Sequence, residues 1–116
     1  MPLNVIVNEV KSDTVCVSLD GSLDSNTYLD LEKKVENIPE TVKFLIFDME
    51  NLQFISSAGL RIVFSTLKRY KARGGKVGVS QMSPNVKKVF EIVQALPSLT
   101  VFSSNEEMDN YLAKFQ

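Results

Sequence analysis

The residues best suited to chemistry in this sequence are two adjacent serines, Ser56 and Ser57, in the stretch FISSAGL. They lie between a strongly apolar segment and a long amphipathic segment, where a strand is expected to give way to a helix. With Ser56 as the N-cap, its hydroxyl accepts a hydrogen bond from a backbone N–H of the first helical turn. Ser57 is then the first helical residue, and its hydroxyl is expected to point outward beside unpaired backbone N–H groups.

A helix that begins with an outward-facing serine is a favourable place for a phosphate group. Backbone N–H groups and the positive end of the helix dipole both stabilise an anion there. Arg61 follows Ser57 by four residues and therefore lies on the same helix face. Ala58 and Gly59 are small and leave the backbone open to a close approach. The stretch is consistent with a phosphoacceptor at Ser57. An ordinary capped helix with small residues for packing would account for the same residues.

Composition limits what else the chain can do. Its 116 residues are enough for one domain with a single core, and the net charge of −1 gives no electrostatic reason to expect nucleic acid as a partner. No apolar run is long enough to span a bilayer, and the first residues lack the basic start of a secretory signal. The single cysteine, Cys16, excludes an internal disulfide framework and fits a reducing compartment. We therefore expect a cytoplasmic protein.

Histidine is absent from the chain. Its absence removes the commonest general base, the usual catalytic triads and most zinc sites. The sequence also has no clustered acid–base set and no glycine-rich phosphate loop after a strand. We therefore expect a protein without catalytic activity, metal or cofactor, whose serine is modified by another protein.

The elements that position the two serines alternate between strands and helices. Period-two alternation predicts strands over residues 3–10 and 14–21, and the polar turn between them predicts an antiparallel hairpin. Residues 42–49 are apolar on both faces, as expected of a central strand covered by helices on both sides. The order ββαβαβαβα predicts an α/β domain, with a mixed open sheet of about five strands flanked by about four helices. The other predicted elements are helices over residues 25–38, 57–72 and 83–93, strands over 76–80 and 99–102, and a last helix with Met108, Tyr111, Leu112 and Phe115 on one face.

Two long stretches resemble a known family. FISSAGLRIVFSTLKRYKARGGKVGVSQMSPNVKKVFEIV, with LDGSLDSNTYLDLEKKV upstream, strongly resembles the anti-sigma factor antagonists, a bacterial family of STAS-domain proteins. The specific features are the serine-small-Gly-Leu helix start, the Gly74-Gly75 stop and the Ser83-Pro84 start of the next helix. The resemblance covers nearly the whole chain in the right order, so we expect residues 1–116 to form a single STAS domain.

The resemblance implies partner switching. In this family a serine kinase that is also the anti-sigma factor, or a related switch kinase, binds the unmodified antagonist and phosphorylates it, and a phosphatase restores it. The motif match puts the phosphoacceptor on Ser57 and a kinase contact on Asp24. Ser56 departs from the family pattern because many members have aspartate there; both residues are good N-caps, but a negative charge is lost. The predicted partner-binding residues are Asp24, Asn26, Thr27, Ser56, Ser57, Ala58, Gly59 and Arg61.

Two other functions of a STAS domain stay open at this point. One is an accessory subunit of a transport or lipid-trafficking complex, and the other is a module that binds a small molecule; neither requires phosphorylation. The serine at position 57 and the length of the chain favour the regulator. No large exposed apolar stripe is evident in the sequence, so we expect a monomer when the chain is free.

Overall fold

A five-stranded sheet forms the centre of the computed structural model, which describes residues 2–92 and 100–113. The strands, which lie side by side in chain order, are β1 (Leu3–Lys11), β2 (Thr14–Leu23), β3 (Phe44–Ile55), β4 (Lys76–Ser80) and β5 (Thr100–Phe102). β1 and β2 form the predicted antiparallel hairpin, whereas β2, β3, β4 and β5 run parallel to one another. The predictions of a mixed sheet and of a central strand that includes residues 44–49 are therefore confirmed.

The helices in the described part of the chain are α1 (Tyr28–Glu36), α2 (Ser57–Ala72), α3 (Pro84–Ile92) and α4 (Asn105–Ala113). α2 has the bounds that the sequence predicts, and it is followed by Gly74 with a φ of +79°, a left-handed conformation that glycine adopts without strain. None of these helices is both long enough and apolar enough to cross a membrane. The apolar face predicted for the last helix, with Met108, Tyr111, Leu112 and Phe115, lies outside the described residues and side chains.

The first three helices share one apolar core with one face of the sheet. Leu45 and Phe47 of β3 point into this core and are fully buried, and burying side chains of this size contributes about 1.5–3 kcal/mol each. Ile46 lies between them and faces the other side, because side chains alternate along a strand. There it packs with Phe44 and Phe102. β3 is therefore apolar on both faces, as the sequence predicts.

Most element boundaries lie within two residues of the predicted positions, and two differ by three residues or more. β3 continues to Ile55, well beyond the predicted end at residue 49, because β2 runs alongside it as far as a Leu23–Ile55 pair. α1 begins at Tyr28 and not at residue 25, because residues 24–27 form a turn held by hydrogen bonds. Both differences lie next to the two serines, so they determine the geometry of the candidate site.

Candidate functional site

The candidate site is the corner where β3 ends and α2 begins. Ile55 is buried, Ser56 has an extended backbone with φ −100° and ψ 177°, and the helix starts at Ser57. The N–H of Gly59 donates a hydrogen bond to Ser56 Oγ at 3.4 Å, and the N–H of Leu60 donates to the Ser56 carbonyl oxygen at 2.9 Å. The prediction that Ser56 is the N-cap of α2 is confirmed, and its hydroxyl is committed to the helix.

Ser57 is the first residue of α2, and its side chain is exposed. The first turn of α2 carries no acidic residue. An anion at this position would therefore meet backbone N–H groups and the positive end of the helix dipole without a competing carboxylate from that turn. A serine hydroxyl is a weak nucleophile unless a base activates it, and the chain has no histidine. The Ser57 hydroxyl is accessible to another protein at the surface of the domain.

The loop after β2 carries Asp24 and is held in shape by its own hydrogen bonds. Asp24 Oδ1 accepts from the N–H of Asn26 at 2.9 Å, and the N–H of Asp24 donates to Thr27 Oγ1 at 2.9 Å. The Thr27 hydroxyl donates to the carbonyl oxygen of Ser22 at 2.7 Å. Thr27 is only 7% exposed, whereas Asn26 is exposed and Asp24 is half-buried. Thr27 therefore supports the loop from inside, whereas Asp24 and Asn26 are accessible from outside the domain.

The Asp24 loop and the start of α2 lie side by side. Leu23 and Ile55 are partners at the ends of the parallel strands β2 and β3. The N–H of Ser56 donates a hydrogen bond to the Leu23 carbonyl oxygen at 2.9 Å. Asp24 and Ser56 each follow one member of this pair. The family resemblance assigns both the Asp24 loop and the start of α2 to partner binding. The structure shows that these two segments, which are distant in the sequence, lie next to each other.

Gly59 is a glycine because other residues occupy the space beside it. A Cβ atom at this position would lie 2.7 Å from Leu23 Cγ, 2.9 Å from Ile55 Cγ1 and 2.9 Å from the Leu23 carbonyl oxygen. These distances are well inside the separation of about 3.5–4.0 Å at which carbon atoms attract. Gly59 is buried, so the close approach that the sequence predicts is made within the domain, by the end of β2. Contact of a partner with Gly59 stays a prediction.

Arg61 lies one helical turn beyond Ser57, and its side chain is exposed. Ala58, between them, is half-buried. Helix positions i and i+4 have Cβ atoms about 5–6 Å apart, so their side chains are neighbours on one face. The Arg61 guanidinium can therefore reach a group attached to Ser57 Oγ.

Three surface grooves, of about 200, 380 and 440 Å³, lie along α1. Residues that line these grooves include Glu32, Lys33 and Lys34. Neither Ser57 nor Asp24 lines any of the three grooves. Across residues 2–92 and 100–113, no group of three or more side chains is arranged to hold a metal ion. The candidate site is the exposed surface formed by Ser57 and the Asp24 loop, and it is separate from these grooves.

Phe54 is a surface residue at this corner that the sequence predictions missed. It is 52% exposed, the highest fraction among the exposed large apolar residues in the part of the chain that the structure describes. The sequence predicts a strand end at residue 49, so no face was assigned to position 54. With β3 extended to Ile55, the period-two alternation puts Phe54 on the face opposite the buried Ile55. The exposure of Phe54 could not be predicted because the sequence did not indicate that β3 continues beyond residue 49.

The family model described as the STAS domain matches residues 5–108 of the chain. The chain belongs to the STAS-domain family. The resemblance seen in the sequence is therefore confirmed, and the match runs from within β1, through the other four strands of this STAS domain, to the first turn of α4.

Two relatives are similar to this STAS domain over most of their length. The BtrV protein of Bordetella bronchiseptica, whose name describes it as a candidate anti-sigma factor antagonist, is 30% identical over 89 residues, which are 76% of this chain and 77% of BtrV. The anti-sigma F factor antagonist of Lysinibacillus sphaericus is 29% identical over 84 residues, which are 71% of this chain and 72% of the relative.

A solved structure has the same fold. It is the phosphorylated form of SpoIIAA, a Bacillus cell fate determinant, which superposes with a TM-score of 0.74 over 93% of this chain and 99% of that chain. The two sequences are 24% identical, so this likeness bears on the STAS fold alone.

Proposed function

We propose that this STAS domain is a non-catalytic regulator that binds a serine kinase, itself an anti-sigma factor or a related switch kinase, and is released when Ser57 is phosphorylated. The observation that carries the proposal is the exposed Ser57 hydroxyl at the first residue of α2, beside the Asp24 loop. The names of the two relatives support an anti-sigma factor as the partner. A phosphoserine phosphatase returns the domain to its binding state.

Ser57 is a substrate in this proposal and not a catalyst. The γ-phosphoryl group of ATP moves to Ser57 Oγ, a base of the kinase takes the hydroxyl proton, and ADP leaves. The product carries a charge of about −1.5 to −2 at neutral pH. The N-terminus of α2 stabilises that charge through its backbone N–H groups and dipole. Arg61 adds a cation on the same helix face.

The position of the cap explains how a phosphate could be added without disturbing the helix. The hydroxyl that accepts the N–H of Gly59 belongs to Ser56, whereas the hydroxyl to be modified belongs to Ser57. Phosphorylation therefore leaves the capping bond intact. The change is confined to charge on a surface whose local folding is already complete, and no rearrangement of this domain is required.

The added charge accounts for release of the partner. The unmodified surface presents the hydroxyl of Ser57, the small Ala58 and the Asp24 loop, so another protein can approach closely. A doubly charged group inside such a contact brings desolvation and repulsion from acidic groups of the partner. A penalty of about 3 kcal/mol lowers the affinity by a hundredfold or more.

The Asp24 loop supplies the second part of the proposed contact. Asp24 and Asn26 are accessible, and the bonds that Thr27 makes to Asp24 and Ser22 hold them in one conformation. A loop that is already ordered costs less conformational entropy when it is bound. We therefore assign direct kinase contact to Asp24 and Asn26, and support of the loop to Thr27.

Phosphopeptide mapping of the protein from its own cells, under several growth conditions, tests the proposal. We expect phosphate on Ser57 with an occupancy that changes with conditions. Ser57→Ala should abolish it. Ser65→Ala is the matched control, because Ser65 is an exposed serine of the same helix whose hydroxyl donates to the Ile62 carbonyl oxygen at 3.0 Å. In pull-downs, Ser57→Ala should retain the kinase and Ser57→Asp should lose it.

The same experiment separates the other functions of a STAS domain. A chain that is never modified at Ser57, yet stays in a stable complex with a transport or lipid-trafficking assembly, would favour the accessory subunit. A small molecule that copurifies with the unmodified chain would favour the ligand-binding module. Either result would overturn the partner-switching proposal.

A further inference from the structure

Phe54 is an exposed aromatic residue close to the candidate phosphoacceptor Ser57. Large apolar residues that are exposed singly are normal on protein surfaces and need no explanation by themselves. Phe54 is 52% exposed, and Leu29, Ile6 and Val10 are 49%, 48% and 42% exposed. Exposure therefore does not distinguish Phe54 from the others. Its position in the sheet does.

The segment that carries Phe54 extends past the neighbouring strand. β4 pairs with β3 only along residues 44–48, with Asp48 opposite Ser80 as the last pair. Residues 51–55 of β3 pair with β2 on the other side, and Phe54 is the partner of Ser22. The end of β3 thus forms a projection beyond the last pair with β4. β2 lies beside it, β1 pairs with β2 as far as Gly21, and this projection leads directly into Ser57.

A protein interface of ordinary size that is centred on the Ser57 hydroxyl extends over this projection. Phe54 and Ser57 are three positions apart in the chain, so their Cα atoms are at most about 11 Å apart. A protein interface of standard size buries about 800 Å² on each partner, which corresponds to a disc of about 16 Å radius. A kinase centred on Ser57 therefore extends over the position of Phe54. Water would be trapped against the ring unless the kinase offered an apolar surface there.

We infer that Phe54 is the apolar anchor of the kinase complex, and that its ring enters an apolar pocket on the same kinase that modifies Ser57. The inference rests on the proposed function and adds to it the source of affinity. Aromatic side chains that become fully buried near the centre of an interface contribute most of the binding energy in many complexes. The accessible loop residues Asp24 and Asn26 are polar and provide orientation more than affinity.

Anchor and phosphoacceptor then have separate roles. Burial of the Phe54 ring does not depend on the charge at Ser57, so it stabilises the encounter before the phosphoryl group is transferred. Loss of the ring should raise the concentration of this domain needed for half-maximal phosphorylation. The maximal rate should not change, because the ring does not touch the reacting oxygen.

The test uses the purified full chain as substrate, radiolabelled ATP, and a cytosolic extract of its own cells as the source of kinase. The initial rate of labelling at Ser57 is measured against the concentration of the chain for the wild type, Phe54→Ala and Phe54→Leu. Val10→Ala is the control, because Val10 is an exposed apolar residue at the hairpin end of β1, opposite the end that pairs near residue 21. Thermal unfolding checks that each variant is folded, and Phe54→Thr replaces Phe54→Ala if that variant is not.

We expect Phe54→Ala to raise the half-saturating concentration about tenfold or more with a maximal rate within twofold of wild type. Phe54→Leu should lie between the two, and Val10→Ala should match the wild type. Labelling of Phe54→Ala with an unchanged half-saturating concentration would overturn the anchor while leaving the proposed function intact. A wild-type chain that takes no label at Ser57 would overturn both.

A second measurement tests whether variants that cannot be phosphorylated at position 57 compete with the wild-type chain for the kinase. Ser57→Ala retains Phe54 and should inhibit labelling of the wild-type chain competitively. The double variant with Ser57→Ala and Phe54→Ala should inhibit about tenfold more weakly. Equal inhibition by the two would contradict the inference.

Discussion

The N–H of Ser56 donates a hydrogen bond to the carbonyl oxygen of Leu23 at 2.9 Å. This bond continues the pairing of β2 with β3 one step beyond the Leu23–Ile55 pair. It holds the end of β2 against the start of α2, so the two halves of the proposed interface lie next to each other. Substitutions that separate the end of β2 from α2 should therefore reduce both stability and partner binding.

Gly59→Ala is expected to destabilise the domain although alanine is the better helix former. The gain in helix propensity is at most about 1 kcal/mol and smaller near a helix end. The new Cβ would lie 2.7 Å from Leu23 Cγ and 2.9 Å from the Leu23 carbonyl oxygen, and such overpacking costs about 1–3 kcal/mol. Urea unfolding should show a net loss of about 1–2 kcal/mol. A smaller loss in a Leu23→Ala background would identify the clash as the cause, and a variant as stable as wild type would refute it.

Thr27→Val is expected to loosen the Asp24 loop. The substitution keeps the shape of the side chain but removes the hydroxyl that accepts from the Asp24 N–H and donates to the Ser22 carbonyl oxygen. Leaving these groups without partners costs about 1–3 kcal/mol. Urea unfolding measures that loss, and hydrogen exchange at the Asp24 amide should become faster. Thr41→Val, at an exposed threonine, is the control and should change neither quantity. Unchanged exchange at Asp24 would remove the supporting role of Thr27.

Local patterns in the sequence were sufficient to predict the elements whose stability is local. The apolar stripe, the Ser56 cap and the Gly74 stop define α2, and the structure has the same bounds. Hairpin alternation in residues 3–21 likewise predicts β1 and β2. Capping and alternation involve residues close in sequence, so they are readable without the fold.

Features that depend on contacts between distant residues were not predictable in the same way. The end of β3 after residue 49 is polar enough to resemble a loop, and it is a strand because β2 pairs with it up to Leu23. The start of α1 moved to Tyr28 because the Thr27 hydroxyl bonds back to Ser22. The pairing of β3 with β2 also sets the position of Phe54, opposite Ser22, which no local pattern indicated.

Ser56→Ala is expected to cost about 0.5–1 kcal/mol of stability, since it removes the cap of α2. The bond from the Gly59 N–H to Ser56 Oγ is 3.4 Å long, so the loss should lie in the lower part of the range for caps. Ser56→Asp should keep or raise the stability, because aspartate is an equally good cap and also interacts favourably with the helix dipole. Urea unfolding measures the stability of both variants. Ser57→Ala, at the exposed neighbouring serine, is the control and should change the stability little. Equal losses for Ser56→Ala and Ser57→Ala would argue against the cap.

The Cys16 thiol is expected to ionise at a higher pH in the folded protein than in the unfolded chain. Burial raises the pKa of Cys16 above its ordinary value of 9.0, a hydrogen bond with Ser18 lowers it, and the nearby Asp48 carboxylate raises it. A raised folded-state pKa gives stability that is complete below the unfolded value and is lost as the pH rises through the folded value. The rate of alkylation by iodoacetamide against pH should therefore have a higher midpoint for the native protein than in urea. A native midpoint at or below the one in urea would contradict this environment for Cys16.

Arg61→Ala is expected to matter only when Ser57 carries a phosphate. In the unmodified chain a cation in the first turns of α2 is slightly unfavourable with the helix dipole, so its removal should be neutral or weakly stabilising. With phosphoserine incorporated at position 57, Arg61 faces a charge of about −1.5 to −2 one turn away, and its loss should cost about 0.3–1 kcal/mol. Urea unfolding of both forms in low salt and in 1 M salt measures the difference, which screening should remove. Lys68→Ala, at an exposed cation farther along the same helix, is the control. Equal effects of Arg61→Ala on the two forms would show that Arg61 does not pair with the phosphate.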